Sequence, residues 1–477
     1  MASANAVRLT VQLTSSIRRY GGYAFSVAGA RVIGILISSA TLPYLVRQLG
    51  VEIYGLWSYV VSICAFLNVV AEPGINTFTM QQIAARREAA FELIPNATVL
   101  RLLSSLAALV MLVAVAHLET RVEMRRLLYL YGIGMLFVNL ASADYLLTAL
   151  EMFHTRSLLT VLQQVMYALS VFACVRSSKD LLWLPISILG SSVLSGIIAW
   201  AVLIKMGVRI PLRIDTKSWK GIAIPSFHYA ASTLMSNTYH RLGHIAVRLF
   251  LGDFALGIYA VAVRVVEILR GFLNIIGQVM MPRLALAAES TTEIRRLSTF
   301  AVSFLALISV PVTVGVMATS QLVVPWLFGA KYRADAELLR WIAPYLITAP
   351  AASLFAGTIL FSLGRHRAYL SSTLAGALAS VVLFFALTPS LGIKGAALAF
   401  VLSEAVVATT AALSLPEIYE SWKNPALTIS LRSALLMLIA VKLANTYTTQ
   451  AVLIIAIGAA VYFASCGRFF RKLLIEF

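Results

Sequence analysis

Five polar residues recur at helical spacing within one long apolar stretch of the chain. At about 100° per residue, Arg264, Glu267, Arg270, Asn274 and Gln278 fall within an arc of about 120°. An ion pair between Glu267 and the two arginines is the simplest interpretation. Two arginines against one acid nevertheless leave a net positive charge on this face. The face therefore predicts the binding of an anion, because a guanidinium group can bind phosphate oxygens with two parallel hydrogen bonds.

Other apolar stretches also carry polar side chains. His228 and Tyr239 belong to one stripe with two serines, Asp144 lies on one side of its segment with Thr148 and Glu151, and Glu404 is an isolated acid. Hydrogen bonds between helices explain the first stripe without a ligand. Charged residues deep in an apolar segment are costly and are candidates for function. We expect the following residues to bind substrate: Arg31, Arg101, Arg264, Arg270, Asn274, His228 and Tyr239. The candidate ion-coupling groups are Asp144, Glu267 and Glu404.

Composition indicates that these segments cross a membrane. Of the 477 residues, 60% are hydrophobic and only 12% are charged, whereas soluble domains carry about 25% charged residues. The net charge of +18 fits arginines and lysines that flank membrane segments better than it fits nucleic-acid binding. The three cysteines all lie inside apolar runs, so the sequence predicts neither a disulfide framework nor a metal site.

Spans of about 20 residues divide the chain into about fourteen predicted helices. We place them at 23–46, 54–71, 97–117, 127–150, 158–175, 181–204, 221–242, 254–280, 298–320, 338–362, 367–388, 393–414, 427–446 and 450–467. With the N-terminus inside, about 20 lysines and arginines lie on the cytoplasmic side and about 11 on the other. This bias predicts cytoplasmic termini. The main exception is the basic cluster between Arg121 and Arg126.

Two short stretches have nearly the same pattern. In the first, Leu49-Gly50 ends an apolar run and Tyr54-Gly55 opens the next; in the second, these places are taken by Leu251-Gly252 and Leu256-Gly257. Glycine permits the tight turn of a hairpin, and the same hairpin in both halves is typical of a duplicated membrane protein. We therefore expect an all-α integral membrane protein with two six-helix lobes and two further helices. The predicted divisions are 1–210, 211–415 and 416–477.

No motif of a soluble enzyme occurs in the chain. A Walker loop, an HExxH pair and a nucleophile elbow are all missing from the sequence. We therefore expect a transporter that needs no cofactor, binds no nucleic acid and does not itself hydrolyse ATP.

Several loose motifs, in a specific order, resemble a known family. They include Leu42-Pro43-Tyr44 before the first hairpin, Glu72-Pro73-Gly74, Pro282 and Leu327-Phe328-Gly329. The clearest is the run from Pro389 to Ala397. Together they resemble the polysaccharide translocases, typified by O-antigen flippases, of the multidrug/oligosaccharidyl-lipid/polysaccharide exporter superfamily. In this family the acid of the second motif is usually Asp, whereas this chain has Glu72.

The resemblance implies a fold like that of the multidrug exporters of the superfamily. It also implies a flippase that moves undecaprenyl-diphosphate-linked oligosaccharides across the bacterial inner membrane, by alternating access, for O-antigen, capsule or exopolysaccharide synthesis. Partners implied by resemblance are membrane lipids and the polymerase and ligase of the pathway. The two C-terminal helices would form a groove for the lipid tail. The assignment of site residues rests on the helical pattern, because the variable cavity residues of the family do not carry over by motif.

The sequence is also compatible with three other functions. A multidrug cation antiporter of the same superfamily would favour buried acids, whereas the buried excess here is basic. A peptidoglycan-precursor flippase also moves a polyprenyl diphosphate. A membrane scaffold has no need of deep arginines.

Overall fold

Helices account for the regular structure in the described part of the chain. The computed structural model describes residues 2–86, 90–208, 214–287, 290–329, 332, 335–416, 418–419, 424–448 and 450–476. Side chains before residue 26 are not included in this description. Within these ranges there is no β-strand, which confirms the predicted all-α class.

Sixteen α-helices follow one another in the described ranges. They are α1 (Ala2–Leu49), α2 (Val51–Ala71), α3 (Ile75–Ala85), α4 (Ala90–Leu118), α5 (Val122–Ala141), α6 (Asp144–Ala149), α7 (Phe153–Cys174), α8 (Trp183–Lys205), α9 (Trp219–Leu273), α10 (Ile275–Leu286), α11 (Thr291–Phe328), α12 (Asp335–Ile342), α13 (Tyr345–Ala352), α14 (His366–Leu413), α15 (Ala426–Tyr447) and α16 (Ala451–Glu476). Short 3₁₀ turns span Ser178–Leu182 and Thr216–Ser218. A π-helical stretch, Ser353–Leu360, continues α13.

Twelve helical stretches of the described chain are long and apolar enough to cross a membrane. Two of them, 71 and 48 residues long, are long enough for two crossings of about 20 residues each. Each contains a glycine with non-helical torsions, Gly252 in α9 and Gly392 in α14. If each of these two stretches is counted as two crossings, the total is fourteen, which agrees with the fourteen predicted spans. The chain is a multi-pass membrane protein.

The predicted helix boundaries need three corrections. The span predicted at 127–150 is interrupted between α5 and α6, so Glu151 lies beyond α6 with a φ of 59°. The span predicted at 254–280 is interrupted at Asn274, between α9 and α10. The span predicted at 338–362 consists of α12, α13 and the π-helical stretch. No proline lies at the first two interruptions, so the apolar pattern continued across them without a signal.

The chain divides into two compact units. Unit 1 contains Met1–Thr41, Leu67–Cys174 and Leu182–Ala230, and unit 2 contains Leu42–Phe66, Val175–Leu181 and Ala231–Phe477. The chain passes from one unit to the other within α1, α2 and α9. The sequence-based divisions at 210/211 and 415/416 stay predictions, since residues 210, 211 and 417 lie outside the described ranges.

The two similar hairpins contact each other within unit 2. Gly50 and Gly252 both have a φ of 82°, a left-handed conformation that glycine adopts without a steric penalty. A Cβ atom on Gly55 would lie 2.6 Å from the Gly257 nitrogen and 3.2 Å from the Asp253 carbonyl oxygen, and one on Gly257 would collide with the Val51 carbonyl oxygen. Because Val51 and Asp253 are equivalent in the two patterns, the contact is nearly symmetric.

A buried hydrogen-bond network attaches the last two helices to α11. Pro311 lies inside α11 and has no N–H to donate to the Leu307 carbonyl oxygen. The Tyr462 hydroxyl of α16 donates to that oxygen at 2.7 Å and also contacts the Ser430 hydroxyl of α15 at 2.9 Å. The orphaned carbonyl of α11 therefore has a partner from α16, and α15 joins the same network.

Candidate functional site

The strongest cluster of buried charge lies in unit 2, where α9, α13 and α14 meet. Arg270 of α9 donates a hydrogen bond from Nη1 to the Tyr345 hydroxyl at 2.7 Å, and the same nitrogen lies 3.8 Å from Glu404 Oε1. The side chain of Glu404 is 2% exposed and that of Arg270 is 20% exposed. A buried carboxylate is stable only when it is paired, so Arg270 is the counter-ion that allows Glu404 to lie inside α14.

His240 completes this cluster. Its Nδ1 lies 3.2 Å from Glu404 Oε1, and its Nε2 lies 3.4 Å from Arg270 Nη1. The short contact with Glu404 lacks hydrogen-bond geometry, since both of its atoms are buried without a hydrogen-bond partner. The ring of Tyr239 is 4.5 Å from the ring of His240, measured between centroids. The cluster therefore joins a guanidinium, an imidazole and a carboxylate in a nearly dry environment.

Two stacked aromatic rings lie beside Arg270 and Glu404. Tyr345 stacks on Phe400 of α14 with 4.4 Å between ring centroids and 19° between planes. Phe400 and Glu404 lie one turn apart on α14, so one face of that helix presents both the ring and the carboxylate. The Arg270 guanidinium carbon also lies 5.6 Å from the Tyr345 centroid, within the range of a cation–π interaction.

The remaining polar residues of α9 continue from this cluster. Arg264 Nη1 lies 3.4 Å from Glu267 Oε2, and the Arg264 side chain is 43% exposed whereas that of Glu267 is 16% exposed. Asn274 lies at the interruption between α9 and α10, and its buried Oδ1 has no hydrogen-bond partner. The structure thus brings together six of the predicted residues in unit 2, which are Tyr239, Arg264, Glu267, Arg270, Asn274 and Glu404.

A second buried arginine lies in unit 1, beside the break between α5 and α6. Arg101 of α4 is 1% exposed. Its Nη2 donates a long hydrogen bond of 3.4 Å to the Ser142 carbonyl oxygen, and its guanidinium carbon is 5.2 Å from the ring centroid of Tyr145. The carbonyl is available because a helix end leaves its last carbonyl groups without intrahelical donors. Among the described residues, no carboxylate forms an ion pair with Arg101 within 4 Å.

The other predicted residues of unit 1 have different environments. Asp144, in the first turn of α6, lies 3.8 Å from Arg156 Nε, and its side chain is 57% exposed. Arg31 in α1 and His228 in α9 are exposed in the described structure. Arg31 has interactions of its own, so it is not an unpaired cation. Whether any of these residues binds a substrate stays a prediction.

The sequence pattern missed His240 and Tyr345. His240 follows Tyr239 directly, but it lies off the stripe that His228 and Tyr239 share. Tyr345 follows Pro344 inside the predicted span 338–362, where it was not singled out. The sequence feature that could have indicated them was Glu404, because an isolated acid in an apolar helix needs a polar partner from another helix. The described residues contain no group of three or more His, Cys, Asp or Glu side chains that could hold a metal ion.

Comparison with known proteins gives the family of the chain. Residues 23–288 match the model of a family described as "Polysaccharide biosynthesis protein". The chain is 21% identical over 400 residues to the "Putative O-antigen transporter" of Escherichia coli strain K12, a match that covers 82% of this chain and 95% of that protein.

Solved structures show the same fold. The lipid II flippase MurJ in an inward closed conformation matches with a TM-score of 0.76 at 14% identity, covering 95% of this chain and 99% of that one. An inward-facing multidrug resistance MATE family transporter of the MOP superfamily matches with a TM-score of 0.63 at 17% identity, covering 83% and 99%. These matches confirm the predicted fold class. Since the family model matches more than half of its length, the chain belongs to the polysaccharide biosynthesis protein family and has the fold of the MOP superfamily of transporters.

Proposed function

We propose that the protein is a flippase that moves polyprenyl-diphosphate-linked oligosaccharides across the bacterial inner membrane for polysaccharide synthesis. The family match and the O-antigen transporter relative support this proposal. The observation that carries it is the presence of Arg264 and Arg270 on one apolar helix, since a lipid-linked cargo has an apolar tail and an anionic diphosphate. The proposal includes alternating access, undecaprenyl as the lipid, cytoplasmic termini and, as partners, the polymerase and ligase of the pathway.

The proposed cargo site uses arginines for the diphosphate and neutral polar groups for the sugars. A guanidinium keeps its charge in an apolar environment and matches two phosphate oxygens at once. We assign Arg31, Arg101, Arg264 and Arg270 to the diphosphate and acidic sugars, and His228, Tyr239 and Asn274 to the oligosaccharide. The candidate ion-coupling groups are Asp144, Glu267 and Glu404. Of these three, Glu404 has the most buried side chain.

Of the two arginines that we assign to the cargo site in unit 2, Arg264 is the more accessible. Its side chain is 43% exposed against 20% for Arg270, and its contact with Glu267 is long at 3.4 Å. A diphosphate oxygen would compete with Glu267 for the same donors, because both are anionic acceptors. Arg270 would contribute mainly through its charge until its contacts with Tyr345 and Glu404 are released.

The first experiment uses a deletion strain and measures two quantities, the surface polysaccharide and the leaflet in which the lipid-linked repeat unit accumulates. We expect loss of polymer with intact repeat units retained on the cytoplasmic side. Arg264→Ala and Arg270→Ala should fail to restore export although both variants still insert into the membrane. Arg296→Ala is the matched control, because Arg296 is an exposed arginine paired with Glu293 on the first turn of α11. Full export by the Arg264/Arg270 double alanine variant would contradict the assignment.

The similarity to MurJ supports a second candidate function. That structure is named a lipid II flippase, and it matches 95% of this chain. Expression of the present protein in a strain depleted of its own lipid II flippase would test this alternative. Growth of that strain, with normal surface polysaccharide in the deletion strain, would favour a peptidoglycan precursor as the cargo. Altered drug accumulation with normal polymer would instead favour the multidrug antiporter branch.

A further inference from the structure

The contacts among Arg270, His240 and Glu404 determine where the imidazole proton lies. Arginine can only donate hydrogen bonds, so the Nε2 atom of His240, 3.4 Å from Arg270 Nη1, has to act as the acceptor. A neutral imidazole with an accepting Nε2 carries its hydrogen on Nδ1. That hydrogen is on the side of the ring that lies 3.2 Å from Glu404 Oε1. In this state the three side chains have a net charge of zero.

Three buried atoms of the same cluster are left without hydrogen-bond partners. They are Arg270 Nε, His240 Nδ1 and Glu404 Oε1. An unsatisfied buried polar atom destabilises the structure that contains it. Three such atoms together therefore indicate an arrangement that a proton, a water molecule or a cargo group can change. The contact that most needs adjustment is the one between the imidazole and the carboxylate, because it is short but misaligned.

We infer that His240 is a positioning residue that holds the Glu404 carboxylate against Arg270 until a proton neutralises that carboxylate and frees Arg270 to bind an anion. This inference rests on the proposed function and adds its regulation. The step is a simple protonation. A hydronium ion transfers one proton to Glu404 Oε1, so that one O–H bond of the hydronium breaks, one O–H bond forms on the carboxyl and a water molecule leaves. The net charge of the three side chains changes from zero to one positive charge.

Among the described residues, four side chains interact with this carboxylate. On α9 they are Arg270, His240 and Tyr239, and on α13 the group is Tyr345. Only one of these four is a permanent cation, and a tyrosine remains neutral in the physiological range. The charge of the site in that range is therefore set by whether the carboxylate and imidazole have taken up a proton.

Two further charged residues, Arg241 and Glu267, act on the imidazole from its own helix. Protonation of the imidazole would add a second positive charge beside Arg270, whereas protonation of the carboxylate removes a charge from the less exposed of the two side chains, 2% for Glu404 against 19% for His240. The carboxylate is therefore the group that accepts the proton.

The direction of the pH effect follows from this charge balance. Protonation of Glu404 removes the internal competitor for Arg270, so an anion binds more tightly as the pH falls. By linkage, one proton taken up per anion bound gives up to about a tenfold change in affinity per pH unit. His240 contributes by keeping the carboxylate in contact with Arg270, so its loss should weaken this dependence on pH.

The test measures the affinity of the full-length protein, in lipid nanodiscs, for UDP-glucose. This soluble diphosphate diester, like the proposed cargo, does not change its own charge between about pH 5.5 and about pH 8. We expect the wild-type affinity to rise up to about tenfold per pH unit as the pH falls. Glu404→Gln should bind tightly at every pH, because its side chain resembles the protonated acid. His240→Asn, which retains a donor near the Nδ1 position, should keep most of the pH dependence.

His240→Phe removes both ring nitrogens and should reduce the dependence on pH to less than about twofold per unit. His244→Phe is the matched control, since His244 is a buried histidine one turn along α9 and contacts the ring of Tyr259 rather than a carboxylate. A His240→Phe variant with the wild-type pH profile would overturn the inference, as would binding by the wild type that does not depend on pH. Both results would leave the proposed flippase function intact. Absence of any diphosphate binding by the wild type would count against the cargo site itself.

Discussion

Arg101 is a buried arginine and Arg270 a partly buried one, and their charges, both in membrane helices, are stabilised in different ways. Arg270 lies 3.8 Å from the carboxylate of Glu404 and donates a 2.7 Å hydrogen bond to the Tyr345 hydroxyl. Arg101 faces the ring of Tyr145 and donates one long hydrogen bond to a backbone carbonyl. The acid that acts on it electrostatically is Glu72. One arginine belongs to an ion pair, and the other is a cation stabilised by dipoles and a ring.

This difference predicts that substitutions of the two arginines have different effects on protein stability and on transport. Removal of one member of a buried ion pair leaves an uncompensated charge, which costs much more than the pair itself contributes. Replacement of a lone buried cation by an apolar side chain leaves no such charge. Variants of Arg270 should therefore affect folding as well as transport, whereas variants of Arg101 should affect transport alone.

The largest effect is expected for Arg270→Met. Loss of the guanidinium leaves Glu404 buried without its counter-ion, and the free energy of unfolding should fall by about 3–5 kcal/mol. Thermal unfolding of the purified protein would measure this loss. The addition of Glu404→Gln to the same chain should restore most of the stability, because the stranded charge is then absent. An Arg270→Met protein as stable as the wild type would show that Glu404 does not depend on Arg270.

A smaller effect is expected for Tyr345→Phe. The substitution keeps the ring that stacks on Phe400 and removes only the hydroxyl that accepts a hydrogen bond from Arg270. Hydrogen bonds to charged groups contribute about 1.5–3 kcal/mol, so the unfolding free energy should fall by that amount. The same thermal measurement applies. No change would indicate that the Arg270 charge is fully compensated by Glu404.

For Arg101→Met we expect little change in stability and a strong loss of polysaccharide export. Methionine retains most of the apolar stem, and replacement of a buried charge by an apolar side chain is often neutral. The change in unfolding free energy should remain below about 1 kcal/mol. Membrane level and export would be measured in the same cells. Normal export would remove Arg101 from the proposed cargo site, and a large loss of stability would assign it a structural role.

The smallest effect is expected for Tyr145→Phe. The Tyr145 hydroxyl is buried without a hydrogen-bond partner, whereas the ring faces the Arg101 guanidinium. Removal of an unsatisfied hydroxyl should be neutral or slightly stabilising, while the cation–π contact remains. Unfolding temperatures of Tyr145→Phe and Tyr345→Phe, measured together, would sharpen the comparison between the two arginines. A clear loss of stability in Tyr145→Phe would show that its hydroxyl has a partner after all.

Much of the fold could be predicted from the sequence, because apolar length and glycine hairpins are local properties. Gly50 and Gly252 end their helices as predicted, and the described spans agree with fourteen crossings. The interruptions at Ser142 and Asn274 were not predicted, because no proline marks them and apolar residues continue on both sides. They depend on packing, which one sequence does not contain.

The candidate site was predictable along one helix and not across helices. Arg264, Glu267 and Arg270 recur at helical spacing, so their common face could be found by counting. Glu404 lies 134 residues beyond Arg270 in the chain, and no periodicity connects them. His240 is separated from Arg270 by 30 residues and by the hairpin at Gly252. The contact between them therefore could not be predicted from helical spacing either.

The nearly symmetric contact between Gly55 and Gly257 has a consequence for how this sequence can diverge. Each glycine is confined by the backbone of the opposite hairpin, and neither side can shrink to admit a larger residue on the other. A methyl group at one position cannot be offset by any substitution at its counterpart, because glycine is already the smallest residue there is. The two halves can drift apart elsewhere, but at this pair of positions they must keep the same residue together.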